Sequence, residues 1–159
     1  MKGKNAILTA ACAALILWFT LGVSPARAQV VAIKSQDINE PGFAADLIEA
    51  KRSDGVLSVK VRLKNTGTKA AGLKIYDHNK IDAFYVQAEG KKYLVLRDTE
   101  KVPLATLSDT YDGKLTATVA PGATFTWWAK YPAPPTNVKT FNFYWPLGAP
   151  FDDVPITNN

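Results

Sequence analysis

Residues 57–64 alternate strictly between apolar and polar side chains. Successive side chains of a β-strand point to opposite faces, so this pattern predicts a strand with one face against a core and the other in water. The dipeptide Asp54-Gly55 separates it from an earlier run at residues 45–52, and Asp-Gly between two such runs is a strong hairpin signal. A sheet that is apolar on one face needs a second layer to cover it, and the rest of the chain must supply that layer.

Further short apolar or alternating runs recur along the 159 residues, separated by Gly, Pro, Asn and Asp turns. They cover residues 73–76, 81–87, 92–97, 115–119, 124–131 and 138–145. No window shows helical periodicity with caps. The pattern predicts a single all-β domain, an immunoglobulin-like antiparallel β-sandwich of about seven to nine strands over residues 43–157. Residues 29–42 are predicted to form an extended lead-in, and residues 98–114 and the proline-rich tail to be irregular.

Residues 1–28 have the features of a secretory signal peptide. Lys2 and Lys4 form a basic start, an apolar run covers residues 6–23, and Ala26 and Ala28 fit the small-residue cleavage rule. A retained membrane anchor is the alternative, but the run is near the lower length limit for crossing a bilayer. We expect cleavage before Gln29, a periplasmic or secreted protein, and no stable membrane insertion of the mature chain.

Charge and cysteine content narrow the functional classes. Removal of Lys2, Lys4 and Arg27 with the leader leaves 16 basic against 14 acidic residues, so the mature chain is nearly neutral. The basic residues are spread singly through the strands, and no nucleic-acid partner is therefore expected. Cys12 is the only cysteine of the sequence, so the predicted mature chain has no disulfide and must rely on a packed core.

Candidate catalytic and metal-binding residues are sparse. His78 is the only histidine, and a triad with Ser108 and Asp109 lacks the pattern of a nucleophile elbow. Residues 77–82 carry oxygen ligands at calcium-like spacing but lack the glycine and the distal glutamate of a calcium loop. We therefore predict no catalytic residue, no metal site and no cofactor. A small hydrolase that uses paired carboxylates is the less favoured alternative, since such pairs need a cleft.

The aromatic strand at residues 124–131 carries the strongest signal for binding. Trp127 and Trp128 are adjacent, so they must point to opposite faces of a sheet. Trp127 falls in the apolar set of the strand, whereas Trp128 falls with Lys130 in the wetter set. An exposed tryptophan can be a binding hot spot or a platform on which a sugar stacks. Trp128, Lys130 and Tyr144 are the candidate binding residues.

Two expectations concern the surroundings of these aromatic residues. The proline-rich loop 132–135 or the tail is expected to cover Trp128, because large apolar patches are seldom left bare. Residues 124–131 and 138–145 are expected to pair antiparallel with Trp127 opposite Phe143, which keeps their apolar sets on one face. Alternatively, loop 132–137 carries the chain across to the other sheet.

Four segments carry a family resemblance. They are residues 92–98, Pro121-Gly122, residues 128–135 and, most specifically, Pro-Phe-Asp-Asp-Val-Pro-Ile at residues 150–156. Together they resemble an uncharacterised bacterial family of secreted immunoglobulin-like β-sandwich domains, which occur alone or attached to outer-membrane proteins that bind peptidoglycan. The resemblance spans about residues 43–157. It implies a secreted sandwich domain, and it supplies no catalytic residues.

These observations predict a secreted or periplasmic, non-catalytic binding or cell-envelope accessory module, with an envelope protein or a glycan as its partner. A small carbohydrate-binding module that uses exposed aromatic residues is the main alternative. A row of solvent-facing rings would favour that alternative.

The intact mass of the exported protein tests the leader prediction. We expect a chain that begins at Gln29, because Ala26 and Ala28 mark the cleavage site. A mass that retains residues 1–28 would contradict cleavage and indicate a membrane anchor.

Overall fold

The computed structural model describes residues 30–76, 80–107 and 113–158. These residues form eleven β-strands and one 3₁₀ turn (Ile81–Ala83), with no α-helix among them. The strands are β1 (Lys34–Asp37), β2 (Phe43–Ser53), β3 (Val56–Asn65), β4 (Ala71–Tyr76), β5 (Tyr85–Ala88), β6 (Lys91–Tyr93), β7 (Leu115–Val119), β8 (Thr124–Pro132), β9 (Thr140–Tyr144), β10 (Phe151–Pro155) and β11 (Thr157–Asn158). The described part of the chain contains no helix that could cross a membrane.

The strands form two main sheets that face each other across the core. The first sheet has the order β1-β2-β3-β8, and β11 pairs in parallel with β2. The second sheet has the order β10-β9-β5-β6, and β4 and β7 form a separate two-stranded ribbon. Both main sheets are otherwise antiparallel. The fold is the all-β sandwich that the sequence predicts, and its strand number is higher because the lead-in and the tail add short strands.

The hairpin of β2 and β3 is confirmed. Ser53 pairs with Val56 across a two-residue turn, in which Asp54 and Gly55 have φ angles of 51° and 76°. A type I′ turn requires positive φ at both central positions, which aspartate tolerates and glycine adopts freely. The alternating residues of β3 that face inward are fully buried, namely Leu57, Val59, Val61 and Leu63.

A β-bulge at Ile48 changes which residues of β2 face outward. The register with β3 passes directly from Leu47 to Glu49, so Ile48 is an extra residue in β2. An extra residue of this kind shifts the alternation of side chains along the strand. Asp46 and Glu49 consequently both lie on the outer face, although they are three positions apart.

The two sheets contact each other through a cluster of aromatic rings. Trp127 of β8 stacks on Phe84 with 4.5 Å between ring centroids, and on Phe143 of β9 with 5.9 Å. Phe143 also contacts the rings of Tyr131 and Trp145, at 6.4 and 6.2 Å. Ring pairs of this kind contribute about 0.5–1.5 kcal/mol beyond their burial. The cluster therefore holds the two sheets together at the level of Trp127.

The predicted pairing of β8 with β9 is wrong, and the alternative connection between the sheets is present. β8 pairs with β3, which places Trp127 opposite Val61, whereas β9 pairs with β5 and β10. The apolar sets of β8 and β9 still share the core, because Trp127 and Phe143 meet between the sheets. Alternation defines the buried face of a strand, and a buried face can be covered equally well by the opposite sheet.

Arg52 at the end of β2 holds the connection between β8 and β9. Its side chain is buried and donates hydrogen bonds to the carbonyl oxygens of Pro134, Pro135 and Val138. A buried guanidinium destabilises the fold unless its donors find acceptors; both Nη groups of Arg52 do so here, whereas its Nε has no partner among the described residues. The proline-rich loop supplies carbonyl oxygens that no strand uses, so loop 132–137 is fastened at this end of the sandwich.

The tail, residues 81–83 and the lead-in differ from their predicted structures, and other predicted features lie outside the described residues. The tail is not irregular, since β10 pairs with β9 and β11 pairs with β2. Residues 81–83 form a 3₁₀ turn instead of the start of a strand, and the lead-in contributes β1. The leader, its cleavage site and the triad of His78, Ser108 and Asp109 lie outside the described residues. So do residues 77–79 of the calcium-like segment 77–82.

We expect Val61→Asp to prevent folding, because Val61 is fully buried in the central strand of the first sheet. An unpaired charge buried there costs several kcal/mol, which is of the order of the free energy of unfolding of a whole domain. Thr124→Asp is the matched control, since Thr124 is exposed on the outer face opposite Lys64 and should change stability by less than about 0.5 kcal/mol. Urea denaturation measures both, and similar destabilisation would contradict the assignment of faces.

Candidate functional site

Trp128 lies in the middle of β8, on the outer face of the first sheet. It is 37% exposed, whereas Trp127 is 1% exposed in the core. The prediction that the two tryptophans face opposite ways is therefore confirmed. The expectation that loop 132–135 or the tail covers Trp128 is wrong, because Arg52 holds the loop beyond the end of β8 and the tail strands pair with β9 and β2.

Neighbouring segments flank Trp128 on both edges of β8, and its backbone hydrogen bonds go to one of them. On one edge, Trp128 pairs with Lys60 of β3. On the other edge, the N–H of Thr106 donates to the carbonyl oxygen of Trp128 at 2.8 Å, and the N–H of Trp128 donates to Thr106 Oγ1 at 3.0 Å. No hydrogen bond or ring contact from a described residue reaches the indole itself. The exposed part of the indole is therefore available to a ligand.

A shallow groove runs beside the indole. Trp128 is in register with Lys60 of β3, and Lys60 with Glu49 of β2. Lys60 Nζ lies 2.7 Å from Glu49 Oε2, and both side chains are partly exposed. Such an ion pair adds little to stability, but it presents a donor and an acceptor next to aromatic surface. This surface, the Trp128 groove, is lined by Glu49, Ser58, Val59, Lys60, Trp128, Ala129 and Lys130.

The next row of residues across the sheet is basic. Ser58 of β3 is in register with Lys51 of β2 and with Lys130 of β8. Both lysines are exposed, and neither forms an ion pair or a hydrogen bond through its side chain with a described residue. Alternate residues of a strand are about 7 Å apart, so Lys130 lies within reach of any ligand that contacts Trp128. The fold thus brings together two of the three candidate residues.

Asp46 and Arg62 occupy the row on the other side of Trp128. Arg62 donates from Nε and Nη2 to Asp46 Oδ2, at 3.2 and 2.7 Å. Burial alone raises the pKa of Asp46, but hydrogen bonds from Ser35 and Arg62 and the charges of Arg62 and Lys64 hold it below its ordinary value. A general acid needs a raised pKa at neutral pH. Asp46 is therefore suited to pairing with a cation and unsuited to donating a proton.

Tyr144, the third candidate residue, lies on the second sheet, on the opposite side of the sandwich. Its ring stacks on that of Tyr85, with 4.7 Å between centroids and 5° between planes. Lys92 Nζ lies 3.8 Å from the centroid of the Tyr85 ring. These three side chains form a ladder across β9, β5 and β6. Their contacts with one another cover part of the faces of the two tyrosine rings. Tyr144 cannot contact a small ligand together with Trp128.

Glu49 and Ser58 line the groove, although the sequence pattern does not indicate them as site residues. Ser58 belongs to the predicted polar face of β3. Strand alternation therefore indicates its outward position, but only the pairing of β3 with β8 places it beside Trp128. Glu49 faces outward only because of the bulge at Ile48. The residue pattern of β2 does not indicate that bulge.

Neither metal ligands nor relatives indicate a function. Within residues 30–76, 80–107 and 113–158, no three His, Cys, Asp or Glu side chains lie close enough together to hold a metal ion. No protein-family model matches the chain, and no curated protein matches its sequence. The functional interpretation therefore depends on the geometry of the Trp128 groove.

We expect acrylamide to quench mainly Trp128 in a chain that begins at Gln29, because Trp127 and Trp145 are only 1% and 6% exposed. Trp128→Phe should remove most of the quenchable fluorescence and shift the remaining emission to shorter wavelength. Trp145→Phe is the control and should leave the quenchable fraction in place. Unchanged quenching in Trp128→Phe would contradict the exposed position of this indole.

Proposed function

We propose that the chain is a non-catalytic binding module, secreted or periplasmic, that serves the cell envelope and holds its partner in the Trp128 groove. The observation that carries this proposal is the exposed indole of Trp128 on an ordered sheet. Tryptophan is enriched in binding hot spots, because it buries a large area and loses little conformational entropy. The leader pattern at residues 1–28 and the resemblance to secreted sandwich domains support the compartment.

The rigidity of the surrounding sheet supports a binding role. β3 and β8 pair without interruption from Val56 opposite Pro132 to Lys64 opposite Thr124. On the edge of β8 that faces away from β3, the backbone of Trp128 is hydrogen-bonded to Thr106. A side chain held on a rigid scaffold loses little freedom when a ligand binds, which favours affinity.

The acidic residues of this face support a non-catalytic role. Glu49 is paired with Lys60, and Asp46 is paired with Arg62. Glycoside hydrolysis by two carboxylates needs one acid that stays protonated near neutral pH. The pKa of Asp46 is shifted in the opposite direction. The alternative of a carboxylate-dependent hydrolase therefore gains no support from this surface.

One observation favours carbohydrate as the partner. The groove places Ser58, Lys60 and Glu49 beside the indole, and these residues offer both hydrogen-bond donors and acceptors. Sugar hydroxyl groups also donate and accept, and an apolar sugar face can lie on an aromatic ring. Trp128 is the most exposed aromatic side chain among those that the structure describes, so the groove suits a short saccharide better than a long row of sugars.

Co-sedimentation with purified cell-envelope fragments tests the proposed function. We expect Trp128→Ala to lower the affinity at least tenfold, by roughly the 2 kcal/mol typical of a hot-spot residue. Tyr144→Ala is the matched aromatic control on the other sheet and should bind like the unaltered protein. Circular dichroism establishes that both variants are folded.

Two outcomes would contradict this proposal. One is the absence of binding by the unaltered protein. The other is a loss of binding in Tyr144→Ala with none in Trp128→Ala, which would move the site to the second sheet.

A further inference from the structure

Positive charge is concentrated on the face that contains the Trp128 groove. The outward-facing residues of β2, β3 and β8 include more cations than acids. The cations are Lys51, Lys60, Arg62, Lys64 and Lys130, and the acids are Asp46 and Glu49. Both acids are already engaged in ion pairs with cations of the same face. The uncompensated charge is therefore positive.

Part of this uncompensated charge lies directly beside the groove. Lys51 and Lys130 stand on either side of Ser58, on the two strands that flank β3. Adjacent strands are about 4.8 Å apart, so the backbones of the two lysines are separated by about 10 Å. Lysine has a flexible four-carbon stem and a terminal ammonium group with three donors. The two ammonium groups can therefore converge on one anion above the Ser58 hydroxyl.

The row of residues through Trp128 and the adjacent row through Ser58 suit different chemical groups of a ligand. The row of Trp128, Lys60 and Glu49 offers aromatic surface with both a donor and an acceptor, which suits a ring that carries hydroxyl groups. The row of Lys51 and Lys130 is cationic and has no acidic partner among the described residues, which suits a carboxylate. The rows are about 7 Å apart along the strands, so one small molecule can contact both.

We propose that the ligand of the Trp128 groove is a carboxylate-bearing saccharide whose acid group is bound between Lys51 and Lys130. This inference rests on the proposed binding function and names its ligand class. A nucleic acid fits the surface less well. A phosphodiester group has no hydrogen to donate to the Glu49 carboxylate that lines the groove, whereas a sugar hydroxyl group has one.

Calorimetric titration at physiological ionic strength tests the ligand class with three probes. They are tri-galacturonate, the neutral trisaccharide maltotriose, and a thymidine oligonucleotide with the same number of negative charges as tri-galacturonate. The protein is purified from cells that express the full chain. We expect tri-galacturonate to bind most tightly, because it alone combines sugar rings with carboxylate groups.

The double variant Lys51→Gln/Lys130→Gln isolates the proposed acid contacts. It should weaken tri-galacturonate binding by roughly tenfold, since each exposed charge pair contributes up to about a fivefold change in affinity. The control variant Lys69→Gln/Lys91→Gln changes the net charge by the same amount at exposed positions outside β2, β3 and β8. It should bind like the unaltered protein. Trp128→Ala should weaken binding as well.

The outcomes separate this inference from the function on which it rests. If maltotriose binds as tightly as tri-galacturonate and only Trp128→Ala weakens binding, the groove binds neutral sugars. The acidic-ligand inference is then wrong, while the proposed binding function stands. Tighter binding of the oligonucleotide would replace the inference with a nucleic-acid surface. If none of the probes binds, the acidic-saccharide inference is wrong, and the envelope co-sedimentation decides the binding function independently.

Discussion

The stacking of Trp127 against Phe84 and Phe143 joins the two sheets, and the exposed surface follows from it. Successive side chains of a strand point to opposite faces. Burial of Trp127 between the sheets therefore forces Trp128 outward, whatever covers the outer face elsewhere. The candidate binding surface is a direct consequence of how the core is packed. A change that moved Trp127 out of the core would also remove Trp128 from the groove.

The outer face of the first sheet gains its chemistry from strand register. Pairing of β3 with β8 places Lys60 beside Trp128, and pairing with β2 places Glu49 beside Lys60. The bulge at Ile48 is needed for this arrangement, because without the extra residue Glu49 would point towards the core. The cationic row at Ser58 arises in the same way. A groove with both polar and aromatic character is thus assembled from three strands, and none of them carries it alone.

The two outer faces of the sandwich differ in how far their aromatic side chains are already occupied. On the second sheet, Tyr144, Tyr85 and Lys92 contact one another and form a ladder. On the first sheet, the indole of Trp128 has no such partner among the described residues. The hydrogen bonds of Arg52 fasten the proline-rich loop 132–137 at the end of the first sheet.

Local pattern alone determined the β-class, the hairpin at Asp54-Gly55 and the inward face of β3, because side-chain alternation and turn geometry depend on neighbouring residues. It also determined that Trp127 and Trp128 face opposite ways. Tertiary structure decided that β8 lies beside β3, that Ile48 forms a bulge, and that Trp128 remains uncovered. Alternation identifies the apolar face of a strand, but many strands and loops could cover that face. Only the packing of the whole chain selects among them.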